Sequence, residues 1–280
     1  MATSFKHPDV IDFPGALAHG WRDFRVAAGF LTCLPVAPRA QPAAEAREIC
    51  VQDEARALTR VARAGGYFPA VGAGIGILSA LALIAAFELG LHPLACALVA
   101  LAVGIAVTGA LHDDGLADFA DGLGGGATPE ARLGIMGDSR IGTFGTLALV
   151  FGVALRAALL SGLSSSTHAA LALIAAAAAS RAALPAVMRW QRAARPDGLS
   201  ATVGAPGQTQ VFAAMLVALV VALFAVGFFA SLAVGFAVAL AALAVSALAD
   251  RMLGGQTGDV LGSVQVVAEV AALVAIAAVE

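Results

Sequence analysis

Long apolar runs alternate with short polar ones along most of the chain. Phe68 to Phe87, Leu91 to Leu111, Phe144 to Leu163 and Ala169 to Val187 carry almost no charge, and each is close to the ~20 residues a helix needs to cross a bilayer. The run Val211 to Ala249 is long enough, at about 1.5 Å per residue, for two crossings, and Leu261 to Val279 for one more. The pattern predicts an all-α, polytopic integral membrane protein with about seven transmembrane helices. Residues 1–64 have no such run and read as an N-terminal cytoplasmic segment with short helices, ahead of a transmembrane domain over 65–280. Composition agrees: 60% of residues are hydrophobic and only 12% charged, too few for an ordinary soluble domain.

Charge placement sets the expected orientation. The N-terminal segment holds Lys6, Arg22, Arg25, Arg39, Arg47, Arg56, Arg60 and Arg63. With that segment cytoplasmic and the crossings alternating, Arg132, Arg140, Arg189, Arg192, Arg195 and Arg251 fall on the same side, as the positive-inside rule requires. The opposite turns, "ELGLHP", "SGLSSSTH" and "VGFFAS", hold no Lys or Arg. One face therefore collects the acidic and glycine-rich loops. No cleavable signal peptide is expected, because no apolar stretch follows the charged start. Cys33, Cys50 and Cys96 lack CxxC spacing, which argues against a zinc site or a disulfide framework.

Charge is most concentrated at "HDDGLADFADGL". On a helix, Asp118 and Asp121 lie roughly 40° and 20° to either side of Asp114, so these three make one stripe, whereas Asp113 stands about 100° away. Carboxylates so placed repel one another and need cations or protons, and all-oxygen ligands suit Mg²⁺ or Mn²⁺. A solvated acidic loop end is the plainer alternative. The glycines Gly115, Gly122 and Gly124 to Gly126 would let a phosphorylated ligand approach the backbone, or simply end a helix.

Three further groups qualify as chemistry. "IMGDSRIGTFG" adds Asp138 as a fourth metal-ligand candidate, with Ser139 and Arg140 as phosphate contacts, unless Asp138 and Ser139 merely cap a helix. Arg189 and Arg192 form a basic rim or a membrane anchor beside Trp190, and "LGGQTGDVLG" adds Gln256 and Asp259. His112 is a candidate base beside the stripe. Arg156, Arg181 and Glu269 are intramembrane charges whose pairing the sequence leaves open.

In this order and spacing, "HDDGLADFADGL", "IMGDSRIGTFG" and "LGGQTGDVLG" resemble the cobalamin synthase (adenosylcobinamide-GDP ribazoletransferase) family, as do "GFLTCLPV", "YFPAVGAGIG" and "SRAALPAVMRWQRAARPDGL". The resemblance covers nearly the whole chain from about residue 25. It departs at Asp113, where the family usually has an apolar residue, and at Gly137, where a basic residue is common. It implies a multi-pass enzyme of the bacterial cytoplasmic (inner) membrane with its catalytic loops facing the cytoplasm. Its implied partners are adenosylcobinamide-GDP, α-ribazole or its 5′-phosphate, and the lipid bilayer, with no nucleic acid and with assembly into a homo-oligomer left open. The implied reaction is Mg²⁺-dependent phosphoryl transfer releasing GMP, with Asp114, Asp118, Asp121 and Asp138 on the metal and Asp114, Asp118 or His112 taking the proton. Arg140, Ser139, Arg189, Arg192, Gln256 and Asp259 would contact substrate.

Two rival readings remain at this point. A CDP-alcohol phosphatidyltransferase also clusters aspartates at a helix end, but it carries an arginine inside its motif that "DGLADFADG" lacks. An ion-coupled transporter would use Asp114, Glu269, Arg156 and Arg181 as a relay near the bilayer midplane.

Overall fold

The computed structural model describes residues 13–36, 60–196 and 198–280. Lys6, Arg39, Arg47, Cys50 and Arg56 lie outside them, and with them part of the expected N-terminal segment. The described chain forms helices α1 (Phe13–Leu31), α2 (Phe68–Glu88), α3 (Pro93–Thr108), α4 (Leu111–Gly125), α5 (Pro129–Met136) and α6 (Thr143–Gly162). These continue into α7 (Ser166–Trp190), the short α8 (Leu199–Val203), α9 (Gln208–Leu253) and α10 (Gly258–Val279).

Among the described residues, five helical stretches are long and apolar enough to cross a membrane: 60–88, 143–162, 166–190, 208–253 and 258–279. The pair α3 and α4, bent by 90°, makes six if it counts as one span. That tally does not establish the expected seven. It differs because the run expected to cross twice is one element, α9, whose 46 residues contain a single non-helical residue, Gly227 (φ 79°, ψ 178°). A straight helix of that length would run about 69 Å, twice the ~30 Å hydrocarbon core. The chain instead reverses at Gly227. Met215 and Ala222 before it and Val234 to Asp250 after it line one cleft of about 550 Å³ against Ala179 to Gln191 of α7.

At the centre, α7 is buried along most of its length, packed between α2, α9 and α10. Small residues permit this closeness. A Cβ at Gly76 would come within 2.7 Å of the Ile174 backbone, and one at Gly72 within 2.9 Å of the Arg181 side chain. Outside this core, α1 rests on α2 through Phe30 stacked on Phe68, with ring centroids 6.0 Å apart, and Phe24 edge-on to Tyr67.

The bend between α3 and α4 aims the acidic helix. Gly109 (φ 61°) and Ala110 (φ 59°) are both left-handed, and the Cys33 amide from the end of α1 donates to the Val107 carbonyl at 2.8 Å. A left-handed alanine costs ~1–2 kcal/mol, partly offset because glycine loses more backbone entropy on folding. Ala110→Gly is therefore expected to raise stability by about 0.5–1 kcal/mol in thermal unfolding of the reconstituted protein. A loss of stability would show that Ala110 is not strained.

Candidate active site

Arginine side chains tie several polar segments of one end together. The Arg132 Nη1 donates to the Met252 carbonyl at 3.0 Å, Arg192 Nε to Gly254 at 2.7 Å and Arg189 Nη1 to Pro206 at 3.0 Å, while Arg195 donates to Leu133. Two of these guanidiniums sit at the carbonyl end of α9, where the helix dipole is negative. Gln256 bolts the loops after α7 and α9 together. Its amide donates to the Arg192 carbonyl at 2.8 Å, its carbonyl accepts from Ala194 at 2.8 Å, and its side-chain nitrogen donates to Gln191 at 3.0 Å. The basic rim and Gln256 thus first serve to hold the loops that frame the site.

Within this frame α4 lies against the first turns of α10 and α6. Close approach to α10 needs Gly115, where a Cβ would fall 2.9 Å from the Asp259 Cα. The glycines expected to admit a ligand seat protein atoms instead: Gly115 meets Asp259, and a Cβ at Gly122 would meet Met136 at 2.7 Å. Helix packing uses the space that the missing side chains leave.

The aspartates divide by what engages them. Asp113 is buried and pairs with Arg156 at 2.5 Å. Asp121, also buried, accepts from the amides of Gly142 at 2.6 Å and Gly145 at 2.8 Å, which caps α6. Capping of that helix therefore comes from across the site, and not from Asp138 or Ser139. Asp138 is held by its neighbour: Arg140 donates from its backbone at 3.1 Å and from Nη2 at 2.7 Å. Those hydrogen bonds keep the Asp138 carboxyl below the ordinary carboxylate range. Ser139 and Arg140 are exposed beside it, the Arg140 side chain at 86%.

Asp114 and Asp118 are different. Neither carboxylate has a hydrogen-bond or ion-pair partner among the described residues, and Asp118 lies in the field of Asp114, Asp259 and Asp121. Asp259 also feels Asp114, opposed by the positive charge of Arg195. The stripe therefore gains Asp259, held by its hydrogen bond from Thr257 (3.3 Å) at the start of α10. Its membership of the acidic face was not evident in "TGDV", because it depends on how α10 crosses α4. Among the described residues, no group of three or more His, Cys, Asp or Glu stands ready in metal-binding geometry. The chemistry of the donors still fits a hard divalent cation: oxygen-only, mutually repelling and unpartnered at Asp114 and Asp118. His112 is only 4% exposed, and its Nε2 has no hydrogen-bond partner among the described residues.

A helical bundle of membrane spans with crowded carboxylates framed by arginine-stapled loops at one end defines an all-α polytopic membrane protein whose polar chemistry gathers at that end. The profile of the Cobalamin-5-phosphate synthase family matches residues 23–277. The chain is 43% identical to the adenosylcobinamide-GDP ribazoletransferase of Bradyrhizobium diazoefficiens over 91% of its own length and 93% of that protein. It is 48% identical to the one from Azorhizobium caulinodans over 74% and 81%, and 41% identical to the one from Brucella anthropi over 88% and 92%. No solved structure matches. The chain belongs to the Cobalamin-5-phosphate synthase family and is a transferase, which sets aside the transporter and phosphatidyltransferase readings.

Proposed function

We propose that the chain joins adenosylcobinamide-GDP to α-ribazole or its 5′-phosphate at the acidic face of α4, whose carboxylates would hold Mg²⁺ (or Mn²⁺). The observation that carries the reading is the pair Asp114 and Asp118, unpartnered and crowded by Asp259 where the stapled loops meet. Asp114 and Asp118 would hold the cation, and Asp121 and Asp138 would support it from positions already engaged by the α6 amides and by Arg140. When bound, the metal supplies positive charge to phosphate oxygens.

The ribose 3′-hydroxyl of the riboside attacks the phosphorus attached to the cobinamide. A P–O bond forms there, the bond to GMP breaks, and the hydroxyl proton passes to Asp118 or Asp114. Such a transfer needs positioning and charge neutralisation more than a covalent nucleophile. Arg140, exposed and planar, would meet the departing GMP phosphate, with Ser139 beside it. Arg189, Arg192 and Gln256 hold the rim that shapes the approach. The surplus of arginine at this end supports a cytoplasmic orientation in the bacterial inner membrane.

Proteoliposomes given adenosylcobinamide-GDP and α-ribazole should yield the joined corrinoid and equimolar GMP by mass spectrometry, with chelation of Mg²⁺ abolishing both. Product formation unaffected by chelation would remove the metal from the proposal. Absence of the joined corrinoid in the presence of Mg²⁺ would remove the reaction itself.

A further inference from the structure

Beneath the acidic face the bundle forms a small polar cavity. Its walls carry His112 and Asp113 from α4, Arg156 from α6, Arg181 from α7, and Gln265 and Glu269 from α10. None of the six is more than 8% exposed. Arg156 lies about 20 Å along α6 and Glu269 about 16 Å along α10 from the ends that face the site, which places the cluster near mid-membrane. Ionisable groups at that depth are rare and are retained for a reason.

The partners are unevenly distributed. Asp113 and Arg156 bond directly, and Arg156 Nε also donates to the Gly152 carbonyl at 3.0 Å. Glu269 accepts from Gln265 at 2.5 Å, and Gln265 reaches Ser180 Oγ at 3.0 Å. Arg181 donates from Nη1 to the Ala177 carbonyl of its own helix at 3.0 Å and makes no direct ion pair among the described residues. Glu269 is nevertheless the foremost opposite charge acting on it. Two fully shielded nitrogens of this cluster, Arg181 Nε and His112 Nε2, have no hydrogen-bond partner among the described residues. Buried polar atoms are almost always satisfied, by protein or by ordered water.

Size and charge select the ligand. The cavity has room for at least one water, and a buried water forms about three hydrogen bonds. A bare cation would meet Arg156 and Arg181, and an anion would meet Asp113 and Glu269. The two positive and two negative side chains balance, which favours a small neutral molecule. We propose that this cavity is a water site: one ordered water accepts from Arg181 Nε, donates to the Glu269 carboxylate and bonds to His112 Nε2. The water converts the separated Arg181 and Glu269 into a bridged ion pair and ties α7 and α10 to the first turn of α4, two residues before Asp114.

Two measurements test this on the full chain in nanodiscs, and neither involves turnover or metal, so their failure is separable from failure of the proposed reaction. The first is X-ray radiolytic footprinting in H₂¹⁸O, in which hydroxyl radicals arise from bound water. His112, 4% exposed, should take up label well above Phe68, a comparably reactive ring in the hydrophobic core that is 0% exposed. Equal rates at His112 and Phe68 would overturn the proposal. The second is a thermal cycle of Arg181→Met, Glu269→Met and the double variant. Each single change strands a buried charge and should lower the Tm by on the order of 10 °C, while the double change should cost clearly less than the sum. Strictly additive losses would mean that no bridge couples the two side chains.

Discussion

Asp114→Asn is expected to lower transferase turnover by about two to three orders of magnitude while leaving the thermal stability equal to the parent's or higher. The opposite signs follow from one observation. Asp114 has no partner among the described residues and stands in a group of carboxylates that repel one another. Removing one negative charge relieves that repulsion, worth a few tenths of a kcal/mol up to about 1 for exposed groups. If the same oxygens hold a divalent cation against a diphosphate, their loss removes charge stabilisation that is realised mainly in the transition state, worth about 3–4 kcal/mol. Asp118→Asn should behave alike. Asp121→Asn should instead lower stability, because both its carboxylate oxygens are spent on the amides of Gly142 and Gly145. Parallel measurement of GMP release and Tm across the three variants separates the roles, and full turnover in Asp114→Asn would sink the metal assignment.

Arg156→Met should cost about 3–5 kcal/mol and leave little folded protein after extraction from the membrane. Its partner Asp113 is buried on a helix packed within the bundle, so the variant leaves a carboxylate in low dielectric with no counter-charge. The magnitude reflects the stranded charge and not a large net value of the pair. Taking both charges out of water is nearly as expensive as their attraction is favourable, so Arg156→Met combined with Asp113→Leu should recover most of the loss. The yield of monodisperse protein and its unfolding temperature across the cycle decide the matter. A double variant as unstable as Arg156→Met alone would mean that the pair contributes through geometry that apolar side chains cannot replace.

That pair also resolves the difference between Asp113 and the other aspartates of α4. Helical phase separates it from the stripe, because a residue about 100° round a helix faces another neighbour. The identity of that neighbour depends on α6 passing at the right depth, which local periodicity does not contain. Asp259 shows the same limit from the other side. It reads as part of a substrate rim but adds its charge to the stripe, since Gly115 lets the two backbones approach. The glycines of the motif read as ligand space and serve as packing surface, because an absent side chain looks the same in a sequence whichever neighbour uses the room.

The sequence by itself determined the all-α membrane character, the approximate windows of the spans, the gathering of polar loops at one end, the α4 stripe and the family. These rest on hydropathy, period and ordered motifs, which are properties of contiguous residues. Only the tertiary structure decided that the break in the long apolar run falls on the single residue Gly227 and that α4 leaves α3 at 90°. It also decided that Asp121 caps α6, that the arginines staple loops, and that His112 faces a cavity bounded by Arg181 and Glu269. Each of these is a contact between residues tens of positions apart, set by how helices cross, and the energy of a buried charge depends on that partner and not on its neighbours in the chain.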